Sequence, residues 1–120
     1  MPAKRKKKPV GEEKERYKYK DCPSGLNEKV FYQIKQLRLQ MLVHSYLYYH
    51  EDTNILDDKE FDRRAYELRD LQLQYPEESK EVDLYEEFKT WDGTTGFHLP
   101  DYPFVKEIAA RLKKIKGEGS

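Results

Sequence analysis

From Asn27 to His50 no glycine or proline interrupts the chain, and its apolar residues recur at helical spacing. Val30, Ile34, Leu37, Met41 and Tyr48 fall on one stripe, with Phe31, Leu42, Tyr46 and Tyr49 beside it. Apolar residues three and four apart form one face of an α-helix, so this segment predicts a helix from Asn27 or Glu28 to about His50. At a rise of about 1.5 Å per residue such a helix is roughly 33 Å long. A rod of that length cannot bury its stripe alone and needs a partner.

The partner is expected immediately downstream. Glu51 to Leu56 is a short connector, and Asp57 can accept hydrogen bonds from the free N–H groups of a new first turn. Glu60, three residues on, gives an arrangement like a capping box. A second helix is expected from Asp58 to about Tyr75, with Phe61, Ala65, Leu68 and Leu71 inward, and Pro76 stops it. A short connector between two long helices makes them antiparallel neighbours, a helical hairpin spanning residues 28–77. Beyond it, Val82 to Phe88 reads as a short helix and Trp91 to Gly96 as a loop. Phe97 to Pro100 reads as extended, and Pro103 to about Ile115 as a last helix carrying Phe104, Val105, Ile108, Ala109 and Leu112. The expected fold class is mostly α: a helical hairpin, one or two further helices and a flexible basic N-terminal arm. Residues 1–24 are that arm, 25–116 a small helical domain and 117–120 a disordered end.

Charge is balanced overall but unevenly placed. Residues 1–20 hold nine basic against three acidic side chains, a net of +6, and residues 51–90 hold six against fourteen, a net of −8. Lys4, Arg5, Lys6, Lys7 and Lys8 repel one another into extended states. Arg16 and Lys18 alternate with Tyr17 and Tyr19, a pattern that can neutralise phosphates and stack on bases. Two readings of the arm stand side by side, a nucleic-acid-binding segment and a solubilising tail. Cys22 is the only cysteine, which excludes a disulfide framework and a thiolate metal cluster. No apolar run approaches the ~18 residues of a membrane span, and the basic start lacks the apolar stretch of a secretory signal. The expectation is a soluble, cytoplasmic protein without a membrane partner.

Three constellations remain. Asp52, Asn54 and Asp58 fall at positions one, three and seven of a calcium loop. However, Leu56, Asp57 and Arg63 occupy the positions that need an oxygen ligand, a glycine and a glutamate, so no EF-hand is expected. His44, His50 and His98 have no metal spacing, and His44 is assigned a structural role. Tyr48 and Tyr49 end the first helix, while Asp58 and Asp62, four apart with Phe61 between them, open the second. A hairpin can gather all five. Aromatic faces stack flat rings and carboxylates accept from ribose hydroxyls or a carboxamide. Equally, the rings can be core and the aspartates a solvated helix start.

This stretch resembles the N-terminal subdomain of NAD-dependent DNA ligases, a small helical unit that closes over the nicotinamide mononucleotide half of NAD. The family carries a Tyr-Tyr or Tyr-His pair, an Asp nine or ten residues later, then Glu-Tyr-Asp-Arg and a helix ending near a proline. Here the matching residues are Tyr48-Tyr49, Asp58, Glu60-Phe61-Asp62-Arg63, Glu67-Leu68 and Tyr75-Pro76-Glu77. The resemblance implies that Tyr48, Tyr49, Asp58, Phe61 and Asp62 bind NAD or nicotinamide mononucleotide, with no metal. Phe61 stands where the family has Tyr and lacks its hydroxyl. Ligation also needs a Lys-x-Asp-Gly nucleophile motif on a large adenylation domain, and Lys89-Thr90-Trp91-Asp92-Gly93 has one residue too many. The resemblance therefore implies a non-catalytic module, similar to small free-standing ligase-related proteins of bacteriophages, that binds the nucleotide or acts in trans on a separate DNA ligase. The alternative is a nucleic-acid-binding or regulatory interaction protein that uses the hairpin as scaffold, with the basic arm and Arg111, Lys113, Lys114 and Lys116 as its contacts.

Overall fold

Asn27 starts the first helix because its side chain accepts the Val30 N–H at 3.1 Å, satisfying one of the donors a helix start leaves free. A computed structural model describes residues 20–53, 55–93 and 99–119. The expected arm contacts Lys4, Arg5, Lys6, Lys7, Lys8, Arg16 and Lys18 lie outside the described residues, as do Asn54 and His98. Helix α1 spans Glu28–His50 and α2 spans Asp58–Gln74. Two short helices follow, α3 at Pro76–Glu81 and α4 at Tyr85–Phe88, and α5 runs Pro103–Gly119. Among the described residues there is no strand, and the fold is mostly α as expected.

Helix α1 is central. It packs against α2 on one side and α5 on another, and α3 touches both α1 and α2. Phe31, Ile34, Met41, Leu42 and Leu47 of α1 are closed off from solvent with Ala65 and Leu68 of α2 and Val105 of α5. Each large apolar side chain buried in this way contributes about 1.5–3 kcal/mol. Asp57 caps α2 as expected, accepting the Glu60 N–H at 2.8 Å. The reciprocal half of the capping box does not form, because the Glu60 carboxylate accepts instead from Arg63 at 2.8 Å and Arg64 at 2.7 Å.

Three expectations need correction. Tyr48 shares the angular position of Val30, five turns earlier, yet it is 50% exposed. At that end of α1 the face opens into a cleft, and the buried line runs through Leu47 instead. Pro76 ends α2 but also begins α3 as its first residue, where its missing N–H would have no partner anyway. The short helix expected over Val82–Phe88 is consequently confined to Tyr85–Phe88. Finally, the last helix, expected to end at about Ile115, runs to Gly119.

Two buried cations of α1 hold the turn after α3. Arg38 is closed off from solvent and donates to the carbonyls of Ser79, Val82 and Asp83 at 2.9–3.0 Å, to Ser79 Oγ at 2.7 Å and to Gln72 Oε1 at 2.8 Å. Lys35 reaches Asp83 Oδ2 at 3.0 Å and the Lys20 carbonyl at 2.8 Å. A helix C-terminus leaves its last carbonyls without internal partners and carries partial negative charge, so cations are favoured there. Trp91 Nε1–H then donates to the Ala65 carbonyl at 3.0 Å and fastens the following loop to α2. Gly93 lies in that loop at φ 85°, and a Cβ there would come within 2.7 Å of the Tyr66 ring. Gly93→Ala is expected to cost about 1–2 kcal/mol from backbone strain alone, read as a lowered midpoint in urea with unchanged slope. An unchanged midpoint would contradict this.

Candidate functional site

The connector between α1 and α2 makes an open end rather than a closed turn. Asp52 takes a left-handed conformation at φ 51°, one that Asp tolerates better than most residues. The Thr53 N–H donates back to the Leu47 carbonyl at 2.9 Å. Helix α1 therefore ends with its last turn facing the start of α2. A cleft of about 220 Å³ lies there. Helix α1 lines it with His44, Tyr48 and Tyr49, the connector with Thr53, Ile55 and Leu56, and α2 with Asp58, Phe61 and Asp62.

All five residues expected at a nucleotide site thus share one cleft. Tyr48 and Tyr49 meet edge to face, ring centroids 4.8 Å apart, and remain 50% and 38% exposed. Tyr48 keeps its ring half exposed at the cleft, which an aromatic buried in the core would not. Phe61 is half-buried on α2 and lines the same cleft. Asp58 and Asp62 are exposed and enter no hydrogen bond or ion pair among the described residues. Both lie in the first turns of α2, where the helix dipole favours negative charge. Sites for drug-sized ligands span about 300–1,000 Å³, so this smaller cleft suits a ring and its sugar better than a whole dinucleotide.

His44 is expected to be structural, and it sits half-buried at the cleft. Its ring lines the cleft one turn before Tyr48, while Nδ1 is sealed from solvent without a hydrogen-bond partner. Burial, and then the Arg64 guanidinium, push its pKa down to about 4 from 6.5. Arg64 is held beside it by Glu60 and by Gln40 Oε1 at 3.0 Å. Between about pH 4 and 6.5 the unfolded chain takes up a proton on His44 that the folded chain refuses. Stability is therefore complete above pH 6.5 and declines as pH falls through that window. His44→Phe is expected to flatten the slope of melting temperature against pH in this range. Equal slopes in parent and variant would contradict it. The four-residue spacing from His44 to Tyr48 is the signal that could have placed His44 here.

Residues 76–93 do not line the cleft and pack elsewhere on the hairpin. Among the described residues no group of His, Cys, Asp and Glu could hold a metal ion, and no helix is long and apolar enough to cross a membrane. Lys89, in the motif that approaches a ligase nucleophile, is exposed and paired with Glu86 at 2.7 Å. That hydrogen bond holds its pKa above the usual value, whereas a nucleophilic lysine needs it lowered. On α5, Lys113 is engaged by Glu51, which also accepts from Tyr46, and Arg111 lies 3.4 Å from Glu107. Those two cations are partly neutralised.

The fold and the cleft together define a class, a small helical hairpin module with an aromatic and carboxylate cleft at its open end. Residues 27–81, just under half of the chain, match the family model described as DNA ligase-like, N-terminal NAD+-binding domain. The matched segment is similar to that ligase-like N-terminal domain, and it contains the whole cleft. No curated protein and no solved structure matched the chain significantly.

Proposed function

We propose that this chain is a non-catalytic module that binds the nicotinamide mononucleotide half of NAD+ in the cleft between α1 and α2. The observation that carries the reading is the convergence of Tyr48, Tyr49, Asp58, Phe61 and Asp62 on one cleft within the matched segment. Tyr48 stacks on the nicotinamide ring, which is cationic in NAD+ and gains from an electron-rich face, while Tyr49, nearly perpendicular to Tyr48, borders it. Asp58 and Asp62 accept from the ribose hydroxyls and add favourable charge near the ring. Phe61, without the hydroxyl the family carries, packs as an apolar floor. Amide chemical-shift mapping with nicotinamide mononucleotide tests this directly. The expected shifts cluster at residues 44–62 and saturate, and shifts scattered over the chain or absent would overturn the reading.

The same module acts in trans on the adenylation domain of a separate ligase. Tyr66 and Leu73, seven apart on α2, are 41% and 75% exposed and offer an apolar strip for such a contact. Co-elution with an NAD-dependent ligase lacking its own N-terminal subdomain, lost in Leu73→Asp, is the expected result. Failure of the parent chain to co-elute would remove the trans reading and leave nucleotide binding standing. The nucleic-acid alternative rests on Lys4 to Lys8 and is tested by removing residues 1–20 and following salt-dependent DNA binding.

A further inference from the structure

The nicotinamide reading, on which this inference rests, leaves His44 without a task. The ring lines the cleft, yet its Nδ1 is buried and has no partner. An orphaned buried N–H is rarer in proteins than an under-used acceptor, so the neutral ring leaves Nδ1 bare and carries its proton on Nε2. A second proton would place an unpaired donor and a charge in a buried position beside Arg64, which is the cost behind the lowered pKa. His44 thus stays a neutral hydrogen-bond donor at ordinary pH. Its tautomer is assigned from the burial of Nδ1.

The groups that face the cleft with it are unbalanced in charge. Asp58 and Asp62 line the α2 side, and among the described lining residues there is no lysine or arginine. A carboxamide suits such a wall, because its carbonyl accepts from an imidazole N–H and its NH2 donates to a carboxylate. A carboxylate in the same place is acceptor-only and meets two like charges. We propose that His44 is the residue by which the cleft selects a ring bearing an uncharged carboxamide over the same ring bearing a carboxylate, its Nε2–H donating to the amide carbonyl. Asp58 and Asp62 supply the repulsive half of the discrimination, since selectivity needs a penalty on the wrong ligand as well as a contact to the right one.

The test is calorimetric titration of the full chain at pH 7 with nicotinamide mononucleotide and with nicotinic acid mononucleotide. The parent is expected to prefer the amide by at least about tenfold, the scale on which a site built for a hydrogen bond rejects a ligand that lacks it. His44→Phe keeps a flat ring without a donor and is expected to weaken the amide alone, bringing the two affinities within about threefold. His44→Gln retains a donor and is expected to keep part of the preference. A merely structural His44 would weaken both ligands together and leave the ratio unchanged, which overturns the proposal. Equal affinities in the parent overturn it as well. If neither mononucleotide binds the parent, the nicotinamide reading itself falls and takes this inference with it. Nitrogen NMR of the parent imidazole gives a result that does not depend on any variant folding: the Nε2–H tautomer is expected, and the Nδ1–H tautomer would overturn the assignment.

Discussion

Arg38→Met is expected to destabilise the fold by at least about 3 kcal/mol. Methionine fills much of the same volume, so the loss isolates the hydrogen bonds rather than a cavity. The arginine donates to three backbone carbonyls, a hydroxyl and an amide oxygen, all at 3.0 Å or less. Without it the carbonyls of Ser79, Val82 and Asp83 stay behind in a region that water reaches poorly. Each buried polar group left unpaired costs about 1–3 kcal/mol. The turn after α3 would loosen first, and with it the loop carrying Trp91. For a domain of this size a loss of about 3 kcal/mol lowers the melting temperature by roughly 12 °C or more. Circular dichroism melts measure this, and a fall of only a degree or two would show that the carbonyls find other partners.

The second large effect is on binding and leaves the fold intact. Asp58→Asn with Asp62→Asn is expected to weaken nicotinamide mononucleotide binding by at least about a hundredfold, since hydrogen bonds to charged groups contribute about 1.5–3 kcal/mol each. Both carboxylates are exposed and free of partners among the described residues, so little of the fold depends on them. The stability change should stay within about 1 kcal/mol, the usual scale of a charge near a helix N-terminus. Loss of binding together with cooperative unfolding would assign the aspartates to the fold. Unchanged binding would move the ligand out of the cleft.

These two predictions draw on unequal parts of what a sequence shows. Asp58 and Asp62 were legible because the hairpin follows from local signals: an unbroken helical run, a connector, and Asp57 as a cap. The partners of Arg38 were not, because Ser79, Val82 and Asp83 lie more than forty residues away and only the fold brings them under α1. A lysine and an arginine on a helix are ordinarily read as its solvated face, and here Lys35 and Arg38 are buried. Pro76 stops α2, while its preference for a first helical turn points equally to α3. Tyr48 sat on the apolar stripe by periodicity, but periodicity does not say where along a helix its partner gives out. The spacing of the three histidines excludes a metal set and leaves His44 a structural residue. Its place one turn below Tyr48 was visible all along.

Binding of a nicotinamide nucleotide in the cleft between α1 and α2 is the proposal on which the rest depends. The most direct measurement is calorimetric titration of the intact chain with nicotinamide mononucleotide, beside the Asp58→Asn, Asp62→Asn double variant. Saturable one-to-one binding by the parent is expected, and none by the double variant at the same ligand concentrations. Absence of heat and of thermal stabilisation in the parent at millimolar ligand would contradict it, and the hairpin would then be a scaffold whose partners lie elsewhere.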